Sequence, residues 1–432
     1  MKKYIKFPNG LRVVVNTMKH TQSVTVGVFI GIGSAYETEK EHGLSHFIEH
    51  MCFRGTKTRT GKEIAEEIES IGAQINAFTS KEMTAYYTTA QCVHLDVCLE
   101  ILSDIFFNPS FTDENIEKEK KVVIEEINSS EDTPQDLCHD LLGESFFGHT
   151  GIGRTILGTK ANVSSFTRSD IVSYMDRYYI PENTVISIAG NVDCSEVEKL
   201  SEKYFASQFT IRESKVEKYC IPPIKESRLL SAIKPLEQSN IAFGFQSDAY
   251  RSKRRIPIAI LSEVLGVGMS SRLFQSVREE LGLVYDIYSM SLEYDNDGVF
   301  IIALATSADS AVEATNAIRN VIEELKRDGI TEKELIRGRE QFKTGLIFGY
   351  ESSKTIMKVA GIKEIIYSKK FNFKDELKLI SNVTIDEVNE SIAHLFDFDK
   401  VAAAYVGPKL DEDVDLLKIF KTGQKEESNI NV

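Results

Sequence analysis

No stretch of this 432-residue chain approaches the roughly 18–20 uncharged apolar residues that a membrane-spanning helix needs. The first ten residues, Met1 to Gly10, contain lysines but no apolar core of the secretory-signal kind. Both absences point to a soluble chain, and the cytoplasm is the expected compartment. Cysteine is sparse and scattered: Cys52, Cys92, Cys98, Cys138, Cys194 and Cys220, with no Cys-x-x-Cys pair and none in the last 212 residues. That excludes a disulfide framework and an all-cysteine zinc site. Buried free thiols are the expectation. Basic charge is also short. Lys and Arg number 51 against 65 Asp and Glu, a net charge of −14, which argues against general nucleic-acid binding because phosphate recognition needs a basic surface. What remains, 42% hydrophobic and 27% charged, is the composition of a globular protein, and the length suits two to three domains.

Residues 4–17 read as a hairpin, because Asn9-Gly10 separates Tyr4-Ile5-Lys6-Phe7 from Leu11-Arg12-Val13-Val14-Val15. Ser23 to Ile32 is a β-branched run that reads as a buried strand. Gly43 to Phe53 has helical spacing, and Thr60 to Ile71 forms a second helix closed by Gly72. One or two strands follow over Gln74 to Ala90, then a helix over His94 to Phe107. Thr112 to Asn128 reads as a long amphipathic helix with Ile116, Val122, Val123 and Ile127 as its apolar positions. Thr133-Pro134 opens the next helix, which runs to about Phe146. A further helix is expected over Phe166 to Tyr179, and a strand over Thr184 to Ala189.

The second half repeats this order. Phe111-Thr112-Asp113-Glu114-Asn115-Ile116 resembles Ile330-Thr331-Glu332-Lys333-Glu334-Leu335, 219 positions later. Phe166-Thr167-Arg168-Ser169-Asp170-Ile171 resembles Val383-Thr384-Ile385-Asp386-Glu387-Val388, 217 positions later, and Ala189-Gly190 meets Val406-Gly407 at the same offset of 217. Similar offsets in order imply a duplicated α+β domain. The expected division is residues 1–210, a linker at 211–226 marked by Pro222-Pro223, and residues 227–432. The tail after Pro408 is acidic, then polar, and is expected to fray.

The chemistry concentrates in His46-Phe47-Ile48-Glu49-His50. Zinc takes nitrogen, sulfur or carboxylate ligands in a tetrahedral array, and a catalytic site keeps one position open for water. Histidines four apart lie on one face of a helix, so His46 and His50 can reach one ion. Glu49 lies next to one histidine and one turn from the other, which suits a general base better than a ligand. The order His-x-x-Glu-His is the inverse of the commoner His-Glu-x-x-His. A third ligand is needed. The helix at 112–128 offers Glu119 and Glu126, which share a face because they lie seven apart, while Glu125 points elsewhere. Spacing leaves open which of the pair binds and which orients a ligand from behind.

The segment Gly43-Leu44-Ser45-His46-Phe47-Ile48-Glu49-His50-Met51-Cys52-Phe53-Arg54-Gly55-Thr56 resembles the signature of the pitrilysin and mitochondrial processing peptidase family of inverted zincins. In that family the third ligand is a glutamate about 76 residues after the second histidine. The resemblance therefore implies Glu126 as ligand and Glu119 as the carboxylate behind His50. Asn76-Ala77-Phe78-Thr79 resembles the edge strand to which the family pairs its substrate backbone, a case of β-strand addition. Arg278 to Tyr285 is similar to a segment whose Arg and Tyr contact substrate. Gly266 to Leu273 resembles a shortened version of the family's glycine-rich loop. Thr150 stands where the family often has proline.

The resemblance implies two similar domains, each an antiparallel sheet flanked by helices, together forming half of a clamshell chamber. It implies one zinc per chain, since no second His-x-x-Glu-His follows and Gly345 lies 219 positions after Glu126. It implies a zinc endopeptidase acting on unfolded peptides or oligopeptides, with leader-segment processing as a narrower version and a non-catalytic scaffold or partner subunit as the rival. Phe53 matches the residue that packs the substrate side chain just after the cut. Asp136 and Asp140 match an acidic pair that reads an arginine upstream of it. Because the family chamber uses four such domains, the resemblance also implies a homodimer, or a heterodimer with a related chain, in which one protomer's Arg278 and Tyr285 complete the other's site.

Overall fold

A computed structural model describes residues 2–209, 216, 219, 228–368, 372–411 and 414–422. The expected linker at 211–226 lies outside the described residues, apart from Val216 and Tyr219. Two compact units form. The first comprises Met1–Ser129, Arg154–Tyr219 and Ile347–Phe373; the second comprises Ser130–Gly153, Cys220–Leu346 and Lys374–Val432. Among the described residues no helix is long and apolar enough to cross a membrane.

The first unit holds strands β1 (Lys2–Lys6), β2 (Arg12–Thr17), β3 (Ser23–Ile30), β4 (Gln74–Thr79), β5 (Thr84–Gln91) and β6 (Thr184–Gly190), in the order β1-β2-β6-β3-β5-β4. Only β2 and β6 run parallel. The expected hairpin closes through Gly10 at φ 96°, with Asn9 Oδ1 accepting from the Leu11 amide at 3.2 Å. On β3, Val24, Val26, Val28 and Ile30 face a core built with α1 (Leu44–Met51), α2 (Gly61–Ser70) and α3 (Leu95–Phe107). Phe29 faces the other side and meets Met357 of the helix Ser353–Tyr367. Burial on both faces is why β3 reads as a β-branched run free of charged residues rather than as one alternating with them. That helix lies close on the sheet: a Cβ at Gly27 would sit 2.3 Å from Met357 Sδ, and one at Gly361 would sit 2.3 Å from the Phe29 ring.

The second unit holds β7 (Leu229–Ile233), β8 (Gln238–Ser247), β9 (Val284–Glu293), β10 (Gly298–Ser307) and β11 (Ala402–Gly407), in the order β7-β11-β8-β10-β9. Again only the pair β7 and β11 is parallel. This is the first sheet without β1, with β11 in the place of β6 and edge strand β9 in the place of edge strand β4. The helix starts repeat as well. Thr167 with Asp170 and Thr384 with Glu387 both form capping boxes.

Two more helices complete the parts that matter. They are α4 (Asp113–Asp132) and α5 (Pro134–Phe147). α5 packs on β8 and β11 within the second unit, while Ser353–Tyr367, which begins 219 positions after Pro134, packs on the first sheet. The duplicated halves have therefore exchanged equivalent helices, so each unit is discontinuous in sequence. A linear division into 1–210 and 227–432 does not represent that exchange.

Two expectations are corrected. Val122 is 44% exposed, whereas Ile116, Val123 and Ile127 are buried. The buried stripe of α4 runs through 116, 119, 123 and 127, and Val122 falls on its Glu/Lys side. The tail does not fray straight after Pro408: Leu416–Thr422 forms a helix with Leu416, Ile419 and Phe420 in the second core, where Phe420 stacks near Phe243 and Phe245. Residues 423–432 lie outside the described residues.

Candidate active site

Leu44, Phe47, Ile48 and Met51 bury one side of α1 in the first core. Burying that side presents His46, Glu49 and His50 on the other. The start of α1 is fixed from two directions. Gly43 sits at φ 93°, and a Cβ there would meet Leu157 O at 2.6 Å. Buried Glu37 caps the helix, accepting from the Gly43 amide at 2.8 Å and the Ser45 amide at 2.7 Å. Burial pushes the Glu37 carboxyl up to about 7, against the downward pull of those two donors. Ser45 Oγ and Tyr174 Oη hydrogen-bond at 2.7 Å, tying the same turn to a further helix.

α4 delivers the carboxylates. Glu119 shares its buried stripe and is 1% exposed, while Glu126 stands on the flank, half exposed. Glu126 Oε2 lies 3.7 Å from His46 Nε2 and 3.4 Å from His50 Nε2. One ligand atom from each of His46, His50 and Glu126 lies within 4.8 Å of the others, and no second such cluster of three occurs among the described residues. Two ligands each about 2.0–2.1 Å from one ion at a tetrahedral angle would be about 3.3 Å apart, so the observed spacing fits zinc. The donor set fits too: two imidazole nitrogens and one carboxylate.

The two imidazoles sit in different electrostatic surroundings. Burial, and then the nearby His50, lower the His46 pKa to about 3, so its imidazole is neutral with a lone pair to give. Burial also lowers His50, but the Glu119 hydrogen bond and the charge of Glu126 outweigh it, and the net shift is upward. Glu119 Oε1 meets His50 Nδ1 at 2.8 Å, and its second oxygen accepts from Arg54 Nε. Burial raises Glu119, but these two partners hold its carboxyl below the usual range. Glu49 is half-buried. Burial raises its pKa, partly offset by a hydrogen bond from Thr79 Oγ1 to Glu49 Oε2 at 2.5 Å.

The segment Asn76-Ala77-Phe78-Thr79 lies on β4, which among the described residues pairs only with β5 and so forms a sheet edge beside α1. The Ala77 amide is covered by its neighbour's Asn76 Oδ1 at 2.8 Å. Phe78 packs on Phe29 and Tyr87, away from α1. Phe53 is half-buried against Tyr86. The remaining expected site residues belong to the second unit. Arg278 stands over the rings of Phe274, at 4.7 Å, and Tyr285, at 5.9 Å. Tyr285, on edge strand β9, is 72% exposed. Asp136 and Asp140 lie on α5, Asp136 exposed beside His139, whose Nε2 meets Tyr288 Oη at 2.7 Å. Gly266 to Ser271 is a turn with Gly268 at φ 78°, and Arg272 and Leu273 already belong to the helical segment that follows.

Sequence reasoning missed Glu37, Arg54 and the contact of Thr79 with Glu49. None carries a local signal, because each acts on a residue distant in the chain or across a turn.

Comparison with known proteins settles the family. Residues 12–160 match the family described as Insulinase (Peptidase family M16), and residues 165–342 match the Peptidase M16 inactive domain. An uncharacterised zinc protease of Bacillus subtilis, YmxG, is 38% identical over 93% of this chain and 97% of its own. The chain belongs to peptidase family M16. An uncharacterised zinc protease of Rickettsia bellii is 34% identical, with the same coverage of 93% and 97%. The fold of the M16 chain matches a protease from Helicobacter pylori with a TM-score of 0.90 at 21% identity, over 94% of this chain and 99% of that one. A peptidase M16 inactive domain from Pseudomonas fluorescens gives 0.88 at 17% identity, over 95% and 98%. The metal cluster falls in the first matched region, and the region matched as inactive contributes no ligand to it.

Proposed function

We propose that this M16 chain is a zinc endopeptidase that hydrolyses unfolded peptides and oligopeptides, with one zinc held by His46, His50 and Glu126. The observation that carries this reading is the convergence of those three donors beside a further carboxylate, Glu49, which is next to His50 and one turn from His46 and is not one of the three. Zinc, when bound there, supplies a Lewis acid that polarises a carbonyl and acidifies water. Glu49 accepts the proton of the attacking water and later delivers it to the leaving amine. Edge strand β4, through the segment Asn76, Ala77 and Phe78, offers an extended substrate a backbone to pair with once the Asn76 side chain releases the Ala77 amide. Phe53 packs the side chain after the cut, and Asp136 with Asp140 select a basic residue before it, which suits basic leader segments.

Tyr285 donates to the oxyanion that develops in the reaction, and Arg278 orients the tyrosine from the face of its ring. A second copy of the chain supplies this pair, in a two-fold homodimer. The cytoplasm suits the same reading, because few, scattered cysteines without a paired framework are the usage of proteins from a reducing compartment.

Elemental analysis of the purified protein, followed by cleavage of a peptide library read by mass spectrometry, tests the function. One zinc per chain with chelator-sensitive cleavage is expected. A metal-free chain that cleaves nothing after zinc is supplied would leave a scaffold or partner subunit instead.

A further inference from the structure

Edge strand β4 has a second use beside its exposed backbone. Its side chains alternate, so that Phe78 packs on Phe29 and Tyr87 while Thr79 turns toward α1, where its Oγ1 donates to Glu49 Oε2 at 2.5 Å. Among the described residues no other hydrogen bond reaches the Glu49 carboxylate. We propose that Thr79 is the positioning residue of the general base: it holds one carboxylate oxygen of Glu49 so that Oε1 is the oxygen left to take the proton. This rests on the peptidase reading above. It also changes what Thr79 is for, since its single hydroxyl proton is engaged by Glu49 and is not offered to a substrate backbone.

The physical need is specific. A glutamate has three rotatable side-chain bonds, and ordering it costs side-chain entropy near the top of the range for any residue. The backbone of α1 sets only where that side chain starts, and half-buried Glu49 lacks a full packing shell to lock the rest. Threonine is a better-aimed donor, because β-branching leaves it stiff at χ1 once its backbone is set. The backbone of Thr79 is set. It pairs with Thr84, whose Oγ1 donates to the Ile32 carbonyl at 3.0 Å in the core. The turn beyond it closes with the Ser80 amide on Met83 O at 2.8 Å and Ser80 Oγ on the same oxygen at 3.1 Å. Sheet, turn and hydroxyl thus form one rigid arm reaching Glu49. A peptide paired along β4 would be registered against the same rigid piece, so base and scissile bond would share one frame.

The test uses the zinc-loaded protein, a fluorogenic peptide that it cleaves, and the variants Thr79→Val and Thr79→Ser. Thr79→Val is expected to lower kcat by about 10- to 100-fold with KM within about twofold, full zinc content and an unchanged melting temperature, while Thr79→Ser stays within about threefold of the parent, because a misaimed base costs rate rather than binding. Unchanged kcat in Thr79→Val overturns the proposal. So does a kcat loss that comes with zinc loss, or one that Thr79→Ser does not rescue. If the parent cleaves no peptide, the peptidase reading fails, and crystal structures of the three zinc-loaded proteins then judge Thr79 alone. A Glu49 carboxylate displaced only in Thr79→Val supports its role, and the same carboxylate position in all three overturns it.

Discussion

Glu119 Oε1 lies 2.8 Å from His50 Nδ1, and Glu119 is only 1% exposed. A carboxylate buried this deeply needs partners, and it has two, His50 and Arg54. The contact assigns the imidazole: Nδ1–H donates to Glu119, so the Nε2 lone pair is the one turned toward Glu126. Glu119→Gln should therefore weaken zinc affinity by about 10- to 100-fold without touching a ligand. Competition against a chromophoric chelator measures this. Zinc affinity equal to the parent's would show that Glu119 merely fills space behind the helix.

Glu49 should separate from the ligands by its effect. Glu49→Gln is expected to keep stoichiometric zinc and lose at least about 100-fold in kcat, because an amide cannot accept the proton. His46→Ala, His50→Ala and Glu126→Ala should lose zinc together with activity. Metal content and turnover measured on the same preparations distinguish the two classes, and near-parental turnover in Glu49→Gln would remove its role as base.

Much of this site was legible in the sequence, for a reason of geometry. Histidines four apart share a helix face whatever the tertiary fold, and so do glutamates seven apart, which is why His46, His50 and the pair Glu119 and Glu126 stood out. Choosing Glu126 over Glu119 needed more. The family resemblance supplied the choice, and the structure separates the two by what they face: Glu126 Oε2 lies 3.7 and 3.4 Å from the Nε2 atoms of His46 and His50, whereas Glu119 meets His50 Nδ1 and Arg54. The exchange of α5 with Ser353–Tyr367 was hidden because amphipathic patterning says which side of a helix is buried but not which sheet buries it. Val122 shows the same limit on a smaller scale, since two adjacent valines differ only by one helical step.

Glu37 makes the fold's stability depend on pH. Its folded pKa is raised from the ordinary 4.5 to about 7, so the fold favours the neutral acid. That contribution is fully present below the unfolded value and is lost as pH rises through about 7. The unfolding free energy should fall between pH 5 and pH 8 by an amount on the order of a few kcal/mol, and Glu37→Gln, which stays neutral, should lose that part of the slope. Urea titrations of both proteins across this range provide the comparison. Parallel pH profiles would mean that the two amide donors keep Glu37 ionised throughout.

The proposed role of the acidic pair on α5 gives a prediction about substrate choice rather than about chemistry. Asp136→Asn combined with Asp140→Asn should lower kcat/KM for peptides with an arginine before the cut by about 10-fold or more, leaving arginine-free peptides near the parent, since a charge-assisted contact is lost only where a guanidinium is present. An unchanged ratio between the two peptide classes would reduce Asp136 to an acid placed near a helix start.

The homodimer can be tested by complementation, because Glu49 and Tyr285 fail in separable ways. Tyr285 is 72% exposed on an edge strand, with the Arg278 guanidinium 5.9 Å from the centre of its ring. Consider Glu49→Gln protomers mixed with Tyr285→Phe protomers, each nearly inactive alone. If the partner supplies Tyr285, a mixed dimer contains one site with two defects and one site with none. If each chain uses its own Tyr285, both sites of the mixed dimer carry one defect and stay inactive. Free exchange of equal amounts makes about half the dimers mixed, and one intact site in each would restore about a quarter of the parental activity under two-fold symmetry. Affinity tags of two kinds allow the mixed species to be isolated and assayed directly. Verified mixed dimers as inactive as either parent, or a parent protein that is fully active as a monomer, would end the shared-site model while leaving the zinc assignment intact.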